Sequence, residues 1–321
     1  MINSQAQLIE AQSKCEVVSR SHRRFVIING DDFGFSSGVN RAIIEAHERG
    51  VLTSTSLMVT AQAFDEAVAL AQAHPKLAVG LHLVLGSGKA VLPPEQIPHL
   101  VDETGNFSSQ LNRTGVRYHL NSGARRELPL EIRAQLEKFR STGLQLSHVD
   151  GHNHIHLNPV VLHILGELAR EFEINVIRLP YEELPLTLSL DRSGFQTKLV
   201  ESLLSTGLRR YGEGLLKSKG VGFVERVYGW LQSGRMTEPY LLGLIPQIQA
   251  NLVEIYSHPA FAIAGEPTNG VLGLGPAELD ALLSNRVREM LVDNGFELTN
   301  YNNPEVIGLS KNYLRIKELG K

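Results

Sequence analysis

Short apolar runs alternate with longer segments of helical period along most of this chain, the pattern of β-α units laid around a parallel sheet. The runs are apolar on both faces, as strands covered on both sides should be. They read "RFVIIN" (24–29), "TSTSLMV" (53–59), "LAVGLHL" (77–83), "LQLSHV" (144–149), "INVIRL" (174–179), "LVEIYS" (252–257) and "FELTNY" (296–301). Between them, residues 38–50, 64–74, 129–143, 159–172 and 278–295 carry apolar positions three and four apart, and Gly50, Gly143 and Gly295 stand where such helices stop. About seven strands with intervening helices predict a single-domain α/β fold, a distorted or incomplete (β/α) barrel over residues 23–310. Two stretches break the rhythm, at about 86–128 and 181–245, and long excursions of this kind often serve as lids or substrate walls. Residues 1–22 read as an N-terminal tail and 311–321 as a C-terminal one.

Composition narrows the picture a little. A hydrophobic fraction of 42% with 20% charged residues is that of a globular protein, and a net charge of -3 gives no general pull toward nucleic acid. The single cysteine, Cys15, has no intramolecular partner, which fits a reducing compartment. The leader lacks the apolar core of a signal peptide, and no run approaches the roughly 20 apolar residues of a membrane span. A cytoplasmic protein is therefore expected.

The ends of the predicted strands carry the candidate chemistry. Asp31 and Asp32 follow "FVIING", His82 lies in "GLHL", Asp150 and His152 follow "QLSHV", Arg178 lies in "VIRLP", and His258 follows "VEIYS". In a parallel barrel the carboxyl ends of the strands share one face, so these groups should converge. The stretch "SHVDGHNHIH" puts His148, Asp150, His152, His154 and His156 on one parity while the chain stays extended, and Gly151 is expected to end that extension. Alone, it reads equally as a strand with one solvated face. Combined with Asp32 and His82, His152 completes a donor set for a divalent ion that leaves a position open for water or substrate.

Adjacent carboxylates on an extended chain point to opposite sides, so in "NGDDFG" one is expected to bind the ion while its neighbour acts as general base. The alternative is an aspartate pair capping the next helix. His258, with Pro259 interrupting the ladder behind it, is placed to protonate a leaving amine or is a structural histidine.

In this order and spacing, "INGDDFGFSSGVNRAIIEAHERGVLTSTSLMV", "GLHL", "HVDGHNHIH" and "EIYSHPA" resemble the YdjC-like carbohydrate deacetylases, over most of residues 24–305. Gly30 takes the small position of the family's N-(A/G)-D-D-F-G opening. "PLTLSLDR" (185–192) and "SGRMTEPYLLGLIP" (233–246) look like the hopanoid-biosynthesis branch, associated with N-acetylglucosaminyl hopanoid lipid. The resemblance implies removal of acetyl from an N-acetylated amino sugar, lipid-linked in that branch and a chitooligosaccharide elsewhere. It implies Asp32, His82 and His152 as ligands of one divalent ion, Asp31 as base and His258 as acid. The family's usual ion is magnesium, and two histidines with one aspartate suit zinc equally. His148, Asp150, His154, His156 and Arg178 would support the ligands or touch substrate.

Two other readings stay open. An amidohydrolase or phosphoesterase on a similar barrel would use His154 and His156 as a ligand pair, and a catalytically silent sugar- or lipid-binding protein would have lost the base or a ligand. Residues 197–219, with leucines beside Lys198, Arg209, Arg210, Lys217 and Lys219, are compatible with peripheral contact at an anionic inner-membrane surface, although a basic solvated helix is the simpler reading. A homo-oligomer is compatible with the sequence.

Overall fold

The computed structural model describes residues 23–319 apart from 268 and 270–273, so the expected N-terminal tail, 1–22 with Cys15, lies outside the described residues. The strands are β1 (Arg24–Phe33), β2 (Ser54–Leu57), β3 (Ala78–Leu83), β4 (Leu146–Gly151), β5 (Arg226–Tyr228), β6 (Leu252–Ser257) and β7 (Phe296–Thr299). All pair in parallel, in the order β4-β3-β2-β1-β6-β5. One edge of β1 is shared, Arg24–Ile27 pairing with β7 and Asn29–Phe33 with β2, while β6 pairs along the other. The result is a curled α/β half-barrel.

The helices are α1 (Ser37–Arg49), α2 (Phe64–Ala73), α3 (Leu111–Leu120), α4 (Ser122–Ser141), α5 (Pro159–Leu168), α6 (Leu184–Leu190), α7 (Phe195–Lys219), α8 (Glu238–Leu244), α9 (Gly275–Leu283), α10 (Asn285–Asp293) and α11 (Pro304–Leu319).

Four expectations need correction. "INVIRL" forms no ladder: Ile177 bridges Val149 of β4, Val176 bridges Gly222, and Tyr181 bridges Val227 of β5. The segment thus crosses the gap between the two ends of the sheet, touching each side at single points, and Pro180, lacking an N–H, cannot extend the pairing. The seventh strand is instead β5, three residues inside the 181–245 excursion and too short to leave a period. Residues 278–295 form two helices, because Ser284 is extended (φ -67°, ψ 125°) and its Oγ accepts from the Val287 N–H to start α10. Finally, α4 begins at an Asn121 cap well before Pro129, which lies within the helix, and α11 runs into the expected C-terminal tail.

Strand alternation sorts the barrel interior into layers. Phe25 and Ile27 of β1 pack inward with Val176, Val227, Leu252 and Tyr256, whereas Val26 and Ile28 pack outward among the helix residues. The same inward parity carries Asn29 and Asp31 on β1, Glu254 on β6, and His148 and Asp150 on β4. The interior is therefore apolar at the amino ends of the strands and charged toward their carboxyl ends.

Gly80 of β3 makes room for this layer, since a Cβ there would lie 2.4 Å from the His148 ring. Gly80→Ala should destabilise the fold by about 1–3 kcal/mol through overpacking. Denaturant unfolding reads this directly, and an unchanged midpoint would mean that His148 moves aside freely.

Candidate active site

The end of β1 departs from a regular strand. Its register against β2 shifts between Gly30 and Phe33, and Asp32 takes a left-handed φ of 69°. Aspartate is among the non-glycine residues that tolerate this region best, and the twist overturns the expectation that Asp31 and Asp32 face opposite ways. Both carboxylates enter the same charged layer. Such local strain is typical of functional sites.

Asp32 Oδ1 lies 3.0 Å from His152 Nδ1 and 3.2 Å from His82 Nε2. One donor atom from each of the three residues falls within 4.8 Å of the others. On its far side, His82 Nδ1 is 2.8 Å from Asp150 Oδ1. A neutral His82 donating Nδ1–H to Asp150 would turn an Nε2 lone pair toward the Asp32 oxygen, which is favourable only with a positive charge between them, a proton or a cation. Without a cation the proton fills that role: burial alone would depress His82, yet Asp150, helped by Asp32 and Asp31, pushes it up to about 10. Burial opposes charge on Asp32 too, but His152 and His82 hold it well below the usual carboxylate range. The donor chemistry and geometry fit a divalent ion.

Past β4 the parity argument stops. His152 opens a short 3-10 turn, His152–Leu157, in which Asn153 and His154 are left-handed. His154 Nε2 points to the Tyr256 hydroxyl at 2.8 Å, with its ring stacked on Trp230, and His156 Nε2 lies 3.0 Å from the Arg178 carbonyl. Neither histidine joins a donor cluster among the described residues.

Arg178 organises the layer beneath. Its guanidinium is fully buried, donates to both oxygens of Asp31 at 2.7 and 2.8 Å, and lies 2.8 Å from Asp150 and 2.6 Å from Glu254. Burial disfavours its charge, but the three carboxylates raise its pKa well above the usual value. Glu254, raised by burial despite Arg178, also accepts from the Tyr301 hydroxyl. Asn29 Nδ2 donates to Asp31 Oδ1 at 2.8 Å.

His258 follows β6. The last pair of the β1–β6 ladder, Gly30 with Ser257, stands one residue before Asp31 on one side and His258 on the other. Its N–H donates to Glu278 Oε2 at 2.6 Å, and Nδ1 stands 3.9 Å from the same oxygen with no hydrogen-bond partner among the described residues. Glu254, Tyr301 and Glu278 were not picked out in the sequence. The glutamate inside the apolar run "LVEIYS" was a signal for the first, whereas nothing in the local pattern marks Glu278 as facing His258.

Burial depresses His148 and His156 to about 4 and holds His154 well below the usual imidazole value. Unfolding frees these rings to bind protons near pH 6.5, so the unfolded state binds more protons between roughly pH 6.5 and 4. Stability should therefore fall across that window, by on the order of 3 kcal/mol for each of His148 and His156. The raised His82 stays protonated throughout it and adds no slope there. Burial pushes Glu182 up to about 7, which opposes this slope above pH 4.5; NMR titration of the imidazole signals therefore reads each ring by itself, and midpoints near 6.5 would place the rings in contact with water.

The curled parallel sheet thus gathers an Asp-His-His donor set beside an arginine-held carboxylate at its strand ends. Residues 25–293 match the model of the YdjC-like protein family, and the chain belongs to that family. A carbohydrate deacetylase of Brevibacillus brevis is 46% identical over 156 residues, 49% of this chain and 59% of that protein, less than two thirds of its length. One from Enterococcus faecalis is 32% identical over 283 residues, covering 86% of this chain and 96% of the relative. A crystal structure from Enterococcus faecalis V583, described as a candidate cellobiose-phosphate cleavage protein, superposes with a TM-score of 0.68 at 28% identity, covering 87% of this chain and 98% of that one. Among the described residues no helix is long and apolar enough to cross a membrane.

Proposed function

We propose that the protein is a metal-dependent carbohydrate N-deacetylase. The observation that carries this reading is the meeting of Asp32, His82 and His152 within 4.8 Å, next to an Asp31 held at both oxygens by Arg178. The carbohydrate deacetylases among its relatives support it. A divalent ion at those three residues, magnesium by family resemblance, would supply Lewis acidity toward an amide carbonyl and a lowered pKa for water.

The chain's own groups then divide the proton transfers. Arg178 fixes the plane of the Asp31 carboxylate, leaving its outer lone pairs to take the proton of the attacking water. His258, one residue past the Gly30–Ser257 pair, delivers a proton to the departing sugar nitrogen. Asp150 orients His82 through Nδ1. His152→Ala should lose both the bound ion and turnover, measured by metal analysis and acetate release, and full retention of either would refute its role.

For the substrate we propose N-acetylglucosaminyl hopanoid, handled in the cytoplasm. The two segments resembling the hopanoid branch support this by lying together: a Cβ on Gly243 of α8 would sit 2.7 Å from Leu190 of α6. Mass spectrometry of products from N-acetylglucosaminyl hopanoid and from diacetylchitobiose, with and without chelator, tests the reading. Chelator-sensitive acetyl loss from the lipid alone is expected. Loss from chitobiose alone would move the protein to the oligosaccharide branch, and loss from neither would reopen the amidohydrolase and phosphoesterase readings, which the placement of His154 and His156 disfavours.

A further inference from the structure

Helix α7 is built inside out. Its buried residues are Lys198, Ser205, Arg209, Gly212 and Leu216, a largely polar set at spacings of seven, four, three and four. Its first turns present Phe195, Leu199, Val200, Leu203 and Leu204 to solvent at 38 to 68% exposure. A helix lying on a protein in water shows the reverse arrangement.

The helix cannot roll to hide these residues. Lys198 Nζ donates to the Asp191 carbonyl and to Gln232 Oε1, both at 2.8 Å, and Arg209 donates to the Leu179 and Val224 carbonyls at 2.7 and 3.0 Å. Rolling would strip two buried cations of these partners. Contrary to the reading of the sequence, Lys198 and Arg209 are therefore anchors and unavailable to an external surface.

The charge left outside is of one sign. Arg192 and Arg210 are exposed, whereas Glu201 and Glu213 are half-buried and Glu213 pairs with Arg209. A second copy of the chain would set these cations against each other, whereas anionic lipid headgroups neutralise them while apolar side chains enter the acyl boundary. We propose that α7 is a docking surface for an anionic membrane, with Phe195, Leu199, Val200, Leu203 and Leu204 entering the interface and Arg192 and Arg210 on lipid phosphates. The proposal is independent of which sugar the site takes.

Flotation of the full chain with vesicles of equal phosphatidylglycerol and phosphatidylcholine tests it. Binding about tenfold stronger than to phosphatidylcholine alone is expected, weakening in high salt. Leu203→Glu/Leu204→Glu should reduce flotation about tenfold at unchanged melting temperature and acetate release; Phe195→Ser/Leu199→Ser gives the same readout should the first pair misfold. No preference for anionic vesicles, undiminished flotation of a folded double variant, or a wild-type dimer that the variant splits without any vesicle binding would each overturn the proposal.

Discussion

Arg178→Leu should lower the stability of the fold by about 3–5 kcal/mol, the range for removing one partner of a buried ion pair. The expectation rests on what the substitution leaves behind. Asp31, Asp150 and Glu254 all approach the guanidinium within 2.6 to 2.8 Å, and each is essentially fully buried. Without it, three carboxylates share a dry layer in which, in the ion-free protein, the protonated His82 is the neighbouring cation. Leucine has no donor for any of their oxygens, and Tyr256, whose ring sits 4.5 Å from the guanidinium carbon, loses its cationic neighbour as well. Arg178→Lys should recover only part of the loss, because an ammonium group cannot hold both Asp31 oxygens in a planar fork. Urea unfolding of the three proteins decides it, and a leucine variant within 1 kcal/mol of wild type, below the ~3 kcal/mol floor expected for such a pair, would mean that water reaches this layer.

Asp31→Asn should still fold, at a cost of about 1–3 kcal/mol because its amide NH2 meets a buried Arg178 donor, and should keep ion binding while lowering turnover by roughly 10²–10⁴-fold, the usual contribution of a positioned general base. The amide keeps one acceptor oxygen toward Arg178 but cannot take a proton. Asp32 makes the contrast: the same substitution there removes a donor from the Asp32, His82 and His152 cluster and should abolish ion binding too. Acetate release alongside metal analysis separates the two. Equal metal loss in both variants would merge their roles, and an active Asp31→Asn would remove the base.

Much of the site was legible because chemistry at strand ends is a local signal. Asp32, His82 and His152 each end or follow a run that forms a strand, and parallel topology does the rest. The bulge at Asp32 was not legible, since a left-handed φ in a strand is imposed by the neighbouring β2 and by the turn in which the Phe35 N–H donates to the Asp32 carbonyl. Parity likewise placed His148 and Asp150 together but failed at Asn153 and His154, where two successive left-handed residues redirect the chain. Arg178 stands out as a charge in an apolar run, as does its partner Glu254, whereas Glu278 lies on an amphipathic helix where nothing local marks it as facing His258. On α7 the sequence suggested a solvated basic helix, whereas Lys198 and Arg209 are buried, because their partners at Asp191, Gln232, Leu179 and Val224 lie outside the helix.

In the proposed reaction Asp32, His82 and His152 hold a divalent ion that the deacetylation requires. Acetate release from an N-acetylated amino-sugar substrate by chelator-stripped protein, followed as magnesium or zinc is added back, tests it most directly. Activity that returns and saturates at one ion per chain in the wild type, and does not return in His152→Ala, is the predicted result. Full activity in the stripped protein, or equal recovery by His152→Ala, would contradict it.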